Sequence, residues 1–108
     1  MSSDEPIVVL CTAPADAECA AELARGLVEA RLAACVNLIP GVRSFYRWEG
    51  AIQDDPEVQL VIKTRRGRFA QLEAWLNEHH PYDVPEILAL PIAQGATPYL
   101  DWLEKQTS

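Results

Sequence analysis

The chain has 108 residues, 49% hydrophobic and 23% charged, with a formal net charge of -7. This is enough for one compact domain of ordinary globular composition, read here as residues 1–108 with loose ends at 1–6 and 105–108. So acidic a surface repels phosphate backbones and anionic bilayers, which sets aside nucleic-acid and membrane partners, and no apolar run approaches the ~20 residues of a membrane span.

The start, Met1-Ser2-Ser3-Asp4-Glu5-Pro6, is polar and acidic, without the basic residues and apolar core of an export signal, so a cytoplasmic protein is expected. Residues 7–13 form an apolar run rich in β-branched side chains, expected as a strand buried on both faces. Pro14 ends it, and Asp16 is placed to cap a helix running to about Leu32. Ala20, Leu23, Ala24, Leu27 and Val28 recur at helical spacing as its buried stripe, opposite Glu18, Glu22, Arg25 and Glu29. Gly26 inside that helix points to close packing, expected against a sheet.

A second strand begins at Cys35. Pro40-Gly41 predicts a bulge before it resumes to Trp48. Glu49-Gly50 supplies the turn. The return strand runs from Ala51 to Thr64, with Asp54-Asp55-Pro56 expected to disturb it. So long a hairpin, carrying the aromatics Phe45, Tyr46 and Trp48, leaves an exposed edge that a neighbouring subunit would cover. A second helix follows over 67–78, with Phe69, Leu72 and Leu76 inward. Pro81 ends it and pushes His80 toward extended backbone. Residues 86–92 read as the last core strand. Thr97 caps a final short helix whose first residue is Pro98, with Leu100 and Leu103 facing inward.

The order β-α-β-β-α-β-α makes this an α+β chain. Its first six elements follow the ferredoxin-like, split β-α-β arrangement, with two helices on one face of a four-stranded antiparallel sheet and the other face partly bare. A bare face and a long hairpin point to a homo-oligomer.

The chain resembles the CutA divalent-cation tolerance proteins. The resemblance runs from Val8 to Leu103. It rests on Val9-Leu10-Cys11-Thr12-Ala13-Pro14, Ala33-Ala34-Cys35-Val36-Asn37, Tyr46-Arg47-Trp48-Glu49-Gly50, Ile62-Lys63-Thr64, His80-Pro81-Tyr82 and Val84-Pro85-Glu86-Ile87. It implies a cytoplasmic homotrimer linked to tolerance of copper and other divalent cations. It also implies copper ligands at Cys11, His79 and His80.

A thiolate and imidazoles suit Cu(II) or Cu(I). The bland alternative is a core cysteine beside two solvent-facing histidines. A second constellation, Tyr46, Arg47, Trp48, Glu49, Lys63, Tyr82 and Glu86, suits an intersubunit pocket for a small anion or metabolite, or else an interface with paired charges. Cys11 beside a histidine is the one nucleophile–base pair the sequence offers, and no phosphate-cradling loop is present, so no enzyme is expected. The three cysteines, Cys11, Cys19 and Cys35, form neither a C-x-x-C pair nor an even disulfide set. A trimeric ligand-sensing or interaction module like the PII signalling proteins, with incidental metal binding, is the alternative. The short Glu49-Gly50 turn weighs against it, because PII-type sensing uses a long mobile loop there.

Overall fold

Ile7, Val9, Cys11 and Ala13 are buried, while Val8, Leu10 and Thr12 between them are only half-buried. This alternation runs along β1 (Pro6–Pro14) of the computed structural model, which describes residues 5–108. The expectation of a strand buried on both faces is therefore corrected. A continuous apolar run does not say which of its faces has a helix over it.

Asp16 caps α1 (Ala17–Glu29) by accepting the Glu18 N–H at 3.0 Å. Ala20, Leu23 and Leu27 are buried, Ala24 is half-buried, and Val28 is 43% exposed, so the stripe is narrower than expected. The helix also ends before Leu32. Arg31 takes a positive φ of 59°, and the Leu32 and Ala33 amides bond back to the Leu27 carbonyl.

In β2 (Cys35–Trp48) the expected bulge is present: the register shifts between Ile39 and Val42, and Gly41 has φ +79°. Glu49 and Gly50, both at positive φ, turn the chain into β3 (Ala51–Arg65). Asp54, Asp55 and Pro56 do not disturb the ladder but stand opposite Phe45, Ser44 and Arg43. β1 pairs with β3 only from Glu57 onward, so Pro56 has β2 alone beside it. This is an edge position, where proline is tolerated.

A 3-10 turn at Arg66–Arg68 leads into α2 (Phe69–His79), which buries Leu72 and Leu76 and half-buries Phe69. Gly26 packs against Trp75 of this helix rather than against the sheet. β4 (Leu88–Pro91) pairs with β1 and is exposed along its length. It is a short edge strand, not the core strand expected over 86–92. α3 (Thr97–Gln106) begins one residue earlier than expected, with Ala96 at the cap and Thr97 as its first helical residue. Leu103 is buried and Leu100 half-buried.

The strand order is β2-β3-β1-β4, with every pair antiparallel, and α1 and α2 share one core with β1 and β3. This is the ferredoxin-like split β-α-β fold with an added C-terminal helix. The ends are less loose than expected. Pro6 lies in β1, and the Arg66 amide bonds the Glu5 carbonyl at 2.8 Å. Thr107 is fully buried, and its carbonyl accepts from Arg65 at 2.8 Å and from Arg68 at 2.7 Å. Residues 1–4 lie outside the described residues. No helix among the described residues is long and apolar enough to cross a membrane.

Candidate functional site

The two histidines are adjacent, yet the break at Pro81 gives them opposite roles. His79 is the last residue of α2 and is exposed. Its Nδ1–H donates to the Trp75 carbonyl at 2.8 Å, and its ring stacks on the Trp75 indole with centroids 4.0 Å apart. That fixes the tautomer and leaves Nε2 with a free lone pair. His80 leaves the helix at φ -75°, ψ 139° and is buried. Its Nδ1 accepts the Tyr82 N–H at 3.1 Å, so its proton sits on Nε2, which donates to the Thr12 carbonyl at 2.8 Å. Both nitrogens are used, and neither can ligate an ion without breaking a bond that ties the 80–87 loop to β1.

Cys11 lies on the helix-covered face of β1 with no exposed surface. Burial pushes its thiol up from 9.0 to about 12, and the charges of Glu86 and Glu57 add to the shift. Burial in this fold therefore disfavours the thiolate, the form in which cysteine ligates a soft metal. Cys11, His79 and His80 do not form one ligand set. Among the described residues no three His, Cys, Asp or Glu side chains gather to hold an ion.

The second constellation also divides. A cleft of about 660 Å³ opens between the hairpin and the loop after α2. Tyr46, Trp48, Tyr82 and Glu86 line it, as does Ser44, which alternates onto the same side of β2 as Tyr46 and Trp48. Arg47, Glu49 and Lys63 do not. The Lys63 ammonium bonds Asn37 Oδ1 and lies 3.7 Å from Cys35 Sγ.

Sequence reasoning missed Glu57, Asp83 and Thr12 in the cleft wall. Glu57 is buried although charged, and its Oε2 accepts the Tyr82 hydroxyl at 2.7 Å. Burial and the Glu57 bond both push the Tyr82 hydroxyl upward. Tyr46 donates to Asp55 Oδ2 at 2.6 Å, and this bond raises its hydroxyl in the same direction. Among the described residues no Lys or Arg lines the cleft, so one subunit alone offers no cation to the small anion considered from sequence.

Comparison with known proteins agrees with this fold. The family model described as CutA1 divalent ion tolerance protein matches residues 7–106. A protein named divalent-cation tolerance protein CutA, from Pectobacterium atrosepticum, is 50% identical over 105 residues, covering 94% of each chain. One of the same name from Thermus thermophilus is 51% identical over 100 residues, covering 93% of this chain and 96% of its own. Among solved structures, the divalent cation tolerance protein Cut A1 of Thermus thermophilus superposes with a TM-score of 0.92 at 50% identity, over 95% of this chain and 99% of its own. CutA1 from Oryza sativa superposes with a TM-score of 0.93 at 44% identity, over 96% of this chain and 94% of its own.

Proposed function

The chain belongs to the CutA1 divalent ion tolerance family, and from that premise we propose that it is a non-enzymatic cytoplasmic homotrimer that binds copper, as Cu(II) or Cu(I), and other divalent cations. One observation carries the metal reading in this chain. His79 presents Nε2 to solvent while Nδ1–H is held by a backbone carbonyl, the arrangement in which imidazole serves as a metal ligand. A single imidazole is a weak site, so the assembled protein supplies the remaining ligands from other subunits. Cys11 and His80 have structural roles.

Assembly is supported by surface. Phe45, Ile52, Val84 and Leu88 are each more than half exposed, on a molecule measuring 43 × 25 × 24 Å with an open β4 edge. Apolar surface and a bare strand edge of this kind are normally covered by another chain, and a repeated edge contact closes into a ring. The three cysteines are free thiols, which suits a reducing compartment. Binding without catalysis is supported by the state of the one thiol–imidazole pair: the thiol is held protonated, and the buried imidazole is bonded through both nitrogens.

Copper titration of the full chain beside His79→Ala and His80→Ala tests the metal reading. His79→Ala should lose the tightest class of sites. His80→Ala should keep that class and lose stability instead. Light scattering should give three times the 12.0 kDa chain mass. Parent-like copper affinity in His79→Ala overturns the site, and a single-chain mass overturns the assembly. A second reading, a ligand-sensing module with incidental metal binding, is favoured by one observation, the aromatic cleft.

A further inference from the structure

Glu57 is the least explained group in the fold. It is a carboxylate with 5% exposure at the base of the cleft. Its Oε2 is bonded to Tyr82, whereas among the described residues Oε1 has no donor and no cationic side chain pairs with the carboxylate. Among the described residues no fully enclosed side-chain oxygen lacks a partner, so Oε1 keeps contact with solvent, and Glu57 lines the cleft. A buried carboxylate ordinarily has a cation beside it. Among the described residues of one chain no cation takes that position.

Asp83 and Glu86 add negative charge to the same wall. The charges of Glu57 and Glu86 reach the Cys11 thiol, and those of Glu57 and Asp55 reach the Tyr82 hydroxyl; all of them raise the group they reach. Within one chain the acids of the cleft wall therefore carry negative charge that no lining Lys or Arg among the described residues balances. A bare metal ion is a poor match, because the acids do not converge on one point. An extended cation can meet acids that are spread out. The walls suit one as well: Tyr46 and Trp48 line the cleft, and aromatic rings attract ammonium and guanidinium groups.

We propose that the cleft binds a small organic cation, a guanidinium or primary ammonium compound, anchored on Glu57 and stacked on Tyr46 and Trp48. Glu57 accepts a charge-assisted hydrogen bond through Oε1 while Tyr82 holds Oε2 in place. Asp83 and Glu86 at the wall draw the cation in and meet its far end.

Agmatine carries both cationic groups and serves as the probe, with 1,4-butanediol as the uncharged control. Titration into the full chain, followed by the indole N–H resonance of Trp48, should give saturable shifts with agmatine and none with the diol. Glu57→Gln should bind at least tenfold more weakly. Glu86→Gln, at an exposed position, should bind severalfold more weakly and remains informative if Glu57→Gln fails to fold. Absent shifts, equal shifts from the diol, or parent-like binding by Glu86→Gln and a folded Glu57→Gln would each overturn the assignment. If a lysine or arginine of a second copy fills the cleft instead, agmatine will not bind and Glu57→Gln will change the mass in light scattering, which also overturns it. Copper titration of the same samples reads the His79 site independently.

Discussion

Replacing Gly26 by Ala should destabilise this protein, although alanine is the better helix former by about 1 kcal/mol. An added Cβ would lie 2.4 Å from Trp75 Cζ2 and 2.7 Å from Cη2, well inside contact distance. Those atoms belong to a rigid bicyclic ring, so its tip cannot yield alone, and the ring is stacked on His79 at an interplanar angle of 17°. Overpacking of this kind typically costs about 1–3 kcal/mol. Set against the propensity gain, the net loss should be about 1 kcal/mol, read by urea unfolding at fixed protein concentration. The displaced indole should also disturb His79 and weaken copper binding. A second background makes the reasoning refutable. In Trp75→Leu the clash is gone, so Gly26→Ala should there stabilise by up to ~1 kcal/mol, a reversal of sign that additive effects cannot produce. If Gly26→Ala stabilises the parent, or acts alike in both backgrounds, close helix–helix packing is not why glycine stands there.

Leu23→Ala should destabilise by about 2–5 kcal/mol, as a buried large-to-small change, whereas Glu22→Ala on the exposed face should shift stability by no more than ~0.5 kcal/mol; equal effects in denaturant unfolding would contradict the observed helix orientation. Cys11 should resist iodoacetamide in the native protein at pH 8 while Cys19 is labelled, and mass spectrometry of the alkylated peptides would show the reverse if Cys11 were reactive. The Cys11 thiol is raised from 9.0 to about 12 on folding, so above pH 9 the unfolded chain loses a proton that the folded one keeps. Stability should therefore fall by at most about 1.4 kcal/mol per pH unit up to pH 12, and Cys11→Ala should flatten that fall; an unchanged slope would refute the linkage. Ile52→Glu, at a 64% exposed position on the hairpin, should weaken self-association on dilution, and an unchanged mass at the lowest concentration would remove this face from the interface.

Local signals were legible because their physics is local. Asp16 caps the helix beside it, Pro81 sends the preceding His80 into extended backbone, and Glu49-Gly50 takes the positive φ values of a tight turn. Apolar period placed Leu23 and Leu27 in the core, and the order of elements specified the ferredoxin-like fold. What the tertiary structure decided involves partners far apart in the chain. Pro56 is harmless because β1 stops pairing one residue away, opposite Glu57. Gly26 answers to Trp75 on another helix. Identical imidazoles part company because Thr12 and Tyr82 claim both nitrogens of His80, while the Trp75 carbonyl takes only one of His79. Glu57 reads in sequence as one more surface acid. Only the fold lays Tyr82 against it, and that contact turns a solvated charge into a buried one facing a cleft. Sequence spacing carries the energy of a turn or a helix face, but whether a charge or a lone pair is satisfied depends on which distant group the fold brings within about 3 Å of it.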